Sequence, residues 1–343
     1  MAAAGPPDLL VAGDAVPDII VGDVAGEIAF GQAETLVERG VLTVGGSSGI
    51  MACGAARLGL RVAFVGVVGD DAAGRFMLDE LTARGVDVSG CVVAPGRATG
   101  LTVHVVRPGA ERDRAMLTAP GCVAELTAAM VRSALAGGAR HIHVGSFYLL
   151  PGLAPDLAAL FGEARKAGCT TSLDTQGDWE GRWRGGLGDA LRATDLYFPN
   201  RDEALAVAAS LGGRGPAAGS GRNDAAGDDR NDVLGDGDLE RLLKTLAALG
   251  PLPVVKCGAQ GAVTLERGTV VRAAAPAVAP AALPIDTIGA GDSFDAGFVY
   301  GHLQGWPVGR SLALATACGT LSTRAAGGVA AQPGLEEALA VSA

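Results

Sequence analysis

The sequence is poor in aromatic residues, in basic residues and in long apolar runs. Only 4% of its 343 residues are aromatic although 49% are hydrophobic, so a core must be built mainly from Ala, Val, Leu and Ile. Lys and Arg number 27 against 37 Asp and Glu, and this acidic balance, with no basic cluster, argues against a nucleic-acid partner. No segment reaches the roughly 18 uninterrupted apolar residues of a membrane helix, so no membrane association is expected.

The six cysteines are scattered, and none forms a CxxC pair. This arrangement disfavours both a metal cluster and a disulfide framework. The N-terminus has neither the basic region nor the apolar stretch of a secretion signal. The sequence therefore predicts free thiols and a cytoplasmic protein.

Two common nucleotide-binding motifs are also missing. There is no G-x-x-x-x-G-K-[ST] motif, which excludes a P-loop kinase. There is no G-x-G-x-x-G after the first predicted strand, which argues against a dinucleotide-dependent dehydrogenase.

Strand-like and helix-like segments alternate after residue 120, and this order predicts a parallel sheet with helices on both faces. The predicted strands are Leu9–Ala12, Val62–Val68, Leu101–Val106, His141–Val144, Thr170–Asp174, Leu196–Phe198, Val254–Cys257 and Ala262–Leu265. The predicted helices are Ser48–Leu58, Ala72–Arg84, Thr127–Ala136, Pro155–Ala167, Arg201–Ala209, Leu239–Leu249, Asp292–Leu303 and Val308–Ala325.

The chain, residues 1–343, is predicted to form a single domain with a small β lid. The segments 15–45 and 91–118 break the strand–helix alternation and are predicted to supply the lid. Leu211–Gly237 holds eight Gly and five Asp in 27 residues with almost nothing apolar. Such a composition buries too little surface to offset its ordering entropy, so a flexible surface insertion is expected there.

The strongest chemical signal is the string Asp286–Phe294, D-T-I-G-A-G-D-S-F, followed by an apolar helix. Glycines on either side of an alanine allow backbone N–H groups to converge at a helix N-terminus, where an anion binds. Asp292, in the first helical turn, would accept a proton from a substrate hydroxyl while the amides hold a phosphoryl group. The simpler alternative is an ordinary turn in which Asp292 caps a helix.

This string resembles the C-terminal signature of the ribokinase-like (PfkB) carbohydrate kinases, and four further family landmarks follow in order. They are Gly45-Gly46-Ser47 with Ala55–Gly59, the G-x-x-G-D-D-x-x-G stretch of Gly66–Gly74, Phe198-Pro199-Asn200-x-x-Glu203-Ala204, and Lys256-x-Gly258-x-x-Gly261-Ala262. The resemblance extends from about residue 9 to about residue 337. It implies a three-layer αβα fold with a mostly parallel central sheet and a small β lid.

The resemblance also implies an ATP-dependent and Mg²⁺-dependent transfer of phosphate to a hydroxyl group of a sugar or sugar derivative, by a homodimer. The residues carried over fall into four groups. Catalytic roles fall to Asp292 as the base and to Gly289, Ala290 and Gly291 as the anion hole. Substrate positions are Asp18, Gly45, Gly46 and Ile50, and nucleotide positions are Asn200, Lys256, Gly258, Gly261 and Thr287. Metal positions are Asn200 and Glu203 for Mg²⁺ through water, and Asp286 with the turn at 325–328 for a monovalent cation such as K⁺.

Several positions admit a second interpretation. Asn200 and Glu203, three apart at a helix start, form a potential capping box. Asp14 lies close to Asp18 and is an alternative substrate residue. Ile50 stands where the family pattern often has an asparagine, so the usual polar contact to the sugar is absent or supplied elsewhere.

The sequence motifs also fit alternative functions. Nucleoside kinases share every motif above, and a non-catalytic sugar-binding relative would share the fold. Gly45–Gly49 satisfies the hydrolase pattern G-x-S-x-G, with His302 downstream. His141 and His143 alternate on one predicted strand, although no third ligand has metal-like spacing.

Overall fold

The computed structural model describes residues 5–28, 30–108, 114–212, 235–277 and 286–342. Its strands are β1 Leu9–Ala12, β2 Pro17–Gly22, β3 Arg39–Val44, β4 Val62–Val65, β5 Val67–Gly69, β6 Val86–Asp87, β7 Val92–Ala94, β8 Leu101–Val106, β9 Arg114–Ala119, β10 His141–Val144, β11 Thr170–Leu173, β12 Leu196–Tyr197, β13 Leu252–Lys256, β14 Ala262–Glu266 and β15 Thr269–Ala273. Its α-helices are α1 Ser47–Arg57, α2 Ala72–Ala83, α3 Ala128–Leu135, α4 Leu157–Lys166, α5 Leu187–Arg192, α6 Arg201–Leu211, α7 Asp236–Ala247, α8 Ala290–Leu303, α9 Val308–Ser322 and α10 Leu335–Val341.

A large sheet with the order β15-β14-β13-β12-β11-β10-β1-β4-β6 forms the centre of the molecule. The pairings from β13 through β6 are parallel, and only β14 and β15 run antiparallel to their neighbours. Parallel strands need crossover helices, which is why α-helices cover both faces. The predicted mostly parallel α/β fold is confirmed.

Two separate apolar cores lie on the two faces of this sheet. In β1, Leu9 and Val11 belong to one core, and Leu10 and Ala12 belong to the other, because successive strand side chains point to opposite faces. The first core includes α1, α2, α8, α9 and α10, and the second includes α3 to α7. This division is the three-layer αβα arrangement.

A second sheet with the order β3-β2-β8-β9 forms the lid. Its two faces differ in chemistry. The row Thr43, Asp18, Thr102 and Thr118, continued by His104, faces one way, and the row Leu42, Ile19, Val103 and Leu117 faces the other. We call these the inner and outer faces of the lid, since Asp18 and His104 are buried whereas Leu42 and Leu117 are exposed.

Some predicted boundaries need correction. The strand predicted at Val62–Val68 is interrupted at Gly66, where a Cβ would lie 2.8 Å from the Gly13 carbonyl oxygen, so β4 and β5 enter different sheets. Val92–Ala94, predicted within the lid segment, pairs with β5 instead. The predicted insertion falls mostly on 213–234, outside the described residues, and its edges at Leu211 and Asp236 are helical.

Two further findings bear on sequence expectations. All six cysteines are free, in agreement with the absence of a disulfide framework. Within the part of the chain that the structure describes, no helix has the length and apolarity to cross a membrane.

Candidate active site

The glycine-rich loop ends where α8 begins. Gly289 precedes the helix with a left-handed backbone, φ +71°, and a Cβ there would lie 2.6 Å from the Gly328 Cα. Glycine is required on both grounds. The first N–H groups of α8 have no intrahelical partner, so this end of the helix can bind an anion.

Asp292 lies in the first turn of α8 and is 6% exposed. Its Oδ1 accepts a hydrogen bond from Ser47 Oγ at 2.6 Å and a longer one from Gln176 Nε2 at 3.4 Å. Oδ2 accepts none from the residues that the structure describes. Burial, with the nearby negative charge of Asp174, raises the pKa of Asp292 to about 8. One oxygen is thus held and the other is available to a substrate.

Gln176 reaches Asp292 through an unusual backbone conformation. Its φ is +53°, which is uncommon for a residue other than glycine. Its backbone N–H donates to Asp174 Oδ1 at 2.9 Å, and this bond holds the turn that follows β11. Strained backbone of this kind is found often at functional sites.

A buried charge cluster lies beneath the glycine loop. Lys256, at the end of β13, donates from Nζ to Asp174 Oδ2 at 2.7 Å and to both oxygens of Asp295 at 3.3 Å. Burial alone would lower the pKa of Lys256, but the carboxylates raise it above its usual value. A Cβ on Gly291 would lie 3.4 Å from Nζ, so the ammonium group is directly under the anion-binding turn.

Three carboxyl groups share this cluster with Lys256. Oxygens of Asp174, Asp292 and Asp295 lie within 4.8 Å of one another. Burial raises the pKa of Asp295 well above its ordinary value. Burial raises the pKa of Asp174, but the charge of Lys256 and the hydrogen bonds from Asp295, Lys256 and the Gln176 N–H together lower it below its ordinary value. Lys256 therefore serves as the counter-ion of this group.

Asp14 and Asp18, both buried, have different contacts. Asp14 accepts hydrogen bonds from the backbone N–H groups of Ser47 and Ser48 at 3.2 and 3.0 Å, so it fixes the start of α1. Asp18 lies against Gly45, where a Cβ would be only 2.1 Å from its Oδ1. Gly46, with φ +71°, likewise lies close to Asp14.

Ile50 is buried against the glycine-rich loop that precedes α8. Extra Cβ atoms on Gly289 and Gly328 would meet its methyl groups at 2.9 and 2.4 Å. Its backbone carbonyl accepts from Gln332 Nε2 at 2.9 Å. Ile50 therefore packs α1 against the loop that precedes α8.

Asn200 and Glu203 form the capping box that the sequence allowed. Asn200 Oδ1 accepts from the Glu203 N–H at 2.9 Å, and Glu203 Oε2 accepts from the Asn200 N–H at 2.8 Å. Burial, with the charge of Asp174, raises the pKa of Glu203 to about 7. Each side chain keeps further polar atoms outside these two bonds.

Asp286 joins two loops at the other side of the site. Its oxygens accept from the backbone N–H groups of Ile288 at 2.9 Å and Gly327 at 3.0 Å. The next residue, Thr287, accepts from Arg114 of the lid at 2.8 Å. Gly258 and Gly261, with φ +56° and +88°, form the turn between β13 and β14.

The competing constellations are not assembled. His302 contacts Thr170 at 3.2 Å, whereas Ser47 contacts Asp292, so the G-x-S-x-G serine has no histidine partner among the described residues. His141 is hydrogen-bonded to Thr170 and Ser172, and His143 to Ser172. Both are core histidines of the sheet.

Comparison with known proteins decides the family. Residues 8–334 match the family described as pfkB family carbohydrate kinase. The chain belongs to this family. It is a carbohydrate kinase, a phosphotransferase with an alcohol group as acceptor.

Individual relatives agree with this family. The acarbose 7(IV)-phosphotransferase of Actinoplanes sp. is 30% identical over 325 residues, which cover 93% of this chain and 94% of that protein. The structure of Arabidopsis thaliana ribokinase complexed with ribose and ATP superposes with a TM-score of 0.78 at 20% identity, over 98% of this chain and 99% of that one. The adenosine kinase of Sinorhizobium meliloti gives 0.75 at 25% identity, over 98% of both chains.

Sequence reasoning did not single out four residues of this carbohydrate kinase that contact the cluster, namely Ser47, Asp174, Gln176 and Asp295. Asp174 and Gln176 follow a strand at the carboxyl edge of the parallel sheet, where ligands bind in such folds. Their position after a parallel strand could therefore have indicated that they belong to the site. Ser47 belongs to the Gly45-Gly46-Ser47 motif, but that motif does not indicate the contact with Asp292.

Proposed function

We propose that this kinase transfers the γ-phosphoryl group of ATP to a hydroxyl group, most simply a hydroxymethyl, of a sugar or sugar derivative, with Asp292 as the base. The observation that carries the proposal is the Asp292 carboxylate, which stands at the N-terminus of α8 with one oxygen held and one free of partners among the described residues. Its Oδ2 would accept the proton as the acceptor oxygen attacks phosphorus.

The anion hole consists of the backbone N–H groups of residues 289–292. These donors are fixed before the reaction, so they stabilise charge on the transferring phosphoryl oxygens without reorganisation. Lys256 beneath them offsets the charge of the neighbouring carboxylates. We assign the nucleotide to Asn200, Lys256, Gly258, Gly261 and Thr287, which follow the family motif.

The acceptor sugar is assigned to the part of the site bordered by Asp18 and the Gly45-Gly46 turn, which pack directly against each other. A carboxylate accepts from two hydroxyls at once and so suits a vicinal diol. Asp14 is already bonded to two backbone amides, which favours Asp18 for this role. Ile50 would border the sugar with apolar surface in place of an amide.

Mg²⁺ fits the oxygen-rich character of the site. It prefers oxygen ligands and retained waters, and the polar atoms of Asn200 and Glu203 not used in the capping box would hold its waters. When bound it would neutralise charge on the nucleotide phosphates. Asp286 and the turn at 325–328 already meet through a hydrogen bond, and we assign a monovalent cation, K⁺, to this junction.

We infer a homodimer formed through the outer face of the lid. The row Leu42, Ile19, Val103 and Leu117 crosses all four lid strands, and Leu42 and Leu117 are 55% and 61% exposed. An apolar sheet face of this kind is typical of an interface between copies. Light scattering should give twice the chain mass, and Leu42→Glu should give monomers. A wild-type monomer would contradict the dimer.

The free thiols favour a cytoplasmic location.

The function is tested by ADP release from ATP and Mg²⁺ with a panel of acceptors. D-Ribose and D-fructose represent sugars, and adenosine and inosine represent nucleosides, the alternative within the same fold. We expect turnover with a sugar. Efficient turnover only with a nucleoside would move the assignment to a nucleoside kinase, and no turnover across a broad panel would favour a non-catalytic relative.

A further inference from the structure

His104 occupies the inner face of the lid beside Asp18. It lies on β8 opposite Ile20 of β2, and Asp18 is two residues before Ile20 on the same face. The imidazole is 5% exposed, and its Nε2 lies 3.2 Å from Asp18 Oδ2. The two side chains therefore share the inner face of the lid.

His104 differs from the other buried histidines in its hydrogen bonding. Neither ring nitrogen has a hydrogen-bond partner among the described residues, because the approach to Asp18 is close but misaligned. His141, by comparison, uses both ring nitrogens. A buried polar group without a partner is unfavourable for folding. Such a group is more readily understood as a contact for a bound molecule.

The pair offers complementary chemistry. Neutral imidazole has one donor and one acceptor nitrogen, and Asp18 is an acceptor only. Two adjacent hydroxyls each carry a donor and an acceptor, so they can satisfy both side chains together. Thr102, on the same lid face, already bonds to Thr118 at 3.1 Å.

The charges around this space disfavour an anionic acceptor. Asp14, Asp18 and Asp292 are all buried here. Two cations at the borders of the site are engaged elsewhere: Lys256 pairs with Asp174 and Asp295, and Arg114 donates to Thr287. A carboxylate or phosphate of the acceptor that lay against Asp18 would meet a second carboxylate, which has no proton to donate to it.

We propose that His104 is a second binding residue for the acceptor and that, with Asp18, it selects an uncharged polyhydroxy compound over a sugar acid or sugar phosphate. The inference rests on the proposed function, since it uses the assigned acceptor space. Because His104 belongs to the lid, the acceptor would contact both Asp18 and His104 when the lid lies over it.

The test compares His104→Leu with the wild type. We expect the KM for the best sugar of the panel to rise at least about tenfold, since a paired sugar hydroxyl loses its partner. The KM for ATP should stay within about threefold. The melting temperature should stay level or rise, because an unpaired buried imidazole has been replaced by an apolar group. His104→Gln, which keeps a donor and an acceptor, should recover part of the sugar affinity.

His141→Leu is the matched control. It removes a buried histidine with two hydrogen bonds, so it should lower the melting temperature. An unchanged sugar KM in His104→Leu, or a loss of thermal stability equal to that of His141→Leu, would show that His104 is structural. Either result leaves the kinase function intact.

The substrate class has its own readout. Wild-type kcat/KM for D-ribose should exceed that for D-ribose 1-phosphate at least about tenfold. Calorimetry without ATP should likewise show that D-ribose binds more tightly than D-ribose 1-phosphate. Equal or better use of the phosphate would overturn the selection for neutral acceptors. Binding of ribose without any ADP release would contradict the kinase assignment but not the binding role of His104.

Discussion

Replacing Ser47 by alanine should shift the pH dependence of the reaction. The Ser47 hydroxyl donates to Asp292 Oδ1 at 2.6 Å within a buried site. A hydrogen bond to a charged group is worth roughly 1.5–3 kcal/mol. It stabilises the ionised carboxylate, so its loss should raise the pKa of Asp292 by about one to two units, at 1.36 kcal/mol per unit.

The assay is the pH profile of kcat/KM for the best sugar acceptor. The pKa of Asp292 is about 8 in the wild type, so the acid limb should lie near that pH and move to roughly 9–10 in Ser47→Ala. Activity at pH 7 should fall about tenfold to a hundredfold and recover as the pH rises. Ser47→Thr should restore the wild-type limb.

Ser48→Ala is the matched control, since Ser47 and Gln176, and not Ser48, are the residues that donate to Asp292. It should leave the acid limb in place. If Ser47→Ala lost the same fraction of activity at every pH, the hydrogen bond from Ser47 would not control the pKa of Asp292. An unchanged profile would show that Ser47 does not act on Asp292.

Three further predictions follow from the geometry. Gly289→Ala should lower the free energy of unfolding, measured in urea, by at least about 1–2 kcal/mol, because Gly289 has a left-handed backbone and its Cβ would lie 2.6 Å from Gly328. Gly291→Ala should fold normally, since nothing lies nearer than 3.4 Å to its Cβ. Equal losses of stability in the two variants would contradict backbone strain at Gly289. Lys256→Met should destabilise by about 3–5 kcal/mol, since it leaves buried carboxylates without their counter-ion, and an undiminished melting temperature would refute that role. Burial lowers the pKa of His143 to about 4, so this side chain binds a proton more readily in the unfolded chain. It should contribute a loss of about 2 kcal/mol of stability between pH 7 and pH 5, to which the buried His141, whose pKa is also lowered, adds. His143→Gln should make that slope shallower, and an unaltered slope would exclude His143 as one of its sources.

The sequence predicted the main body of the fold because its signals are local. β1, β8 and β10 lie at the predicted positions, since each is a short apolar run with clear boundaries. β15 was missed because Thr269–Ala273 is largely exposed and lacks a strong apolar period. The order of the strands and the split at Gly66 depend on distant contacts that no local pattern encodes.

The candidate site also combines a local motif with contacts between distant segments. Asp292 and its glycine loop form one contiguous motif of nine residues, so their position at the start of α8 was predictable. The contacts of Ser47, Gln176 and Lys256 join segments separated by up to 245 positions. Their pairing with Asp292 and Asp295 is a result of the fold, and a single sequence gives no sign of it.

The most direct test of the central claim is sugar-dependent ADP release by Asp292→Ala. We predict that kcat falls by at least about 10²–10⁴, the range for a lost general base. ATP affinity should change little, because the anion hole is built from backbone N–H groups. A variant that keeps more than about a tenth of wild-type kcat would contradict the assignment of Asp292 as the base.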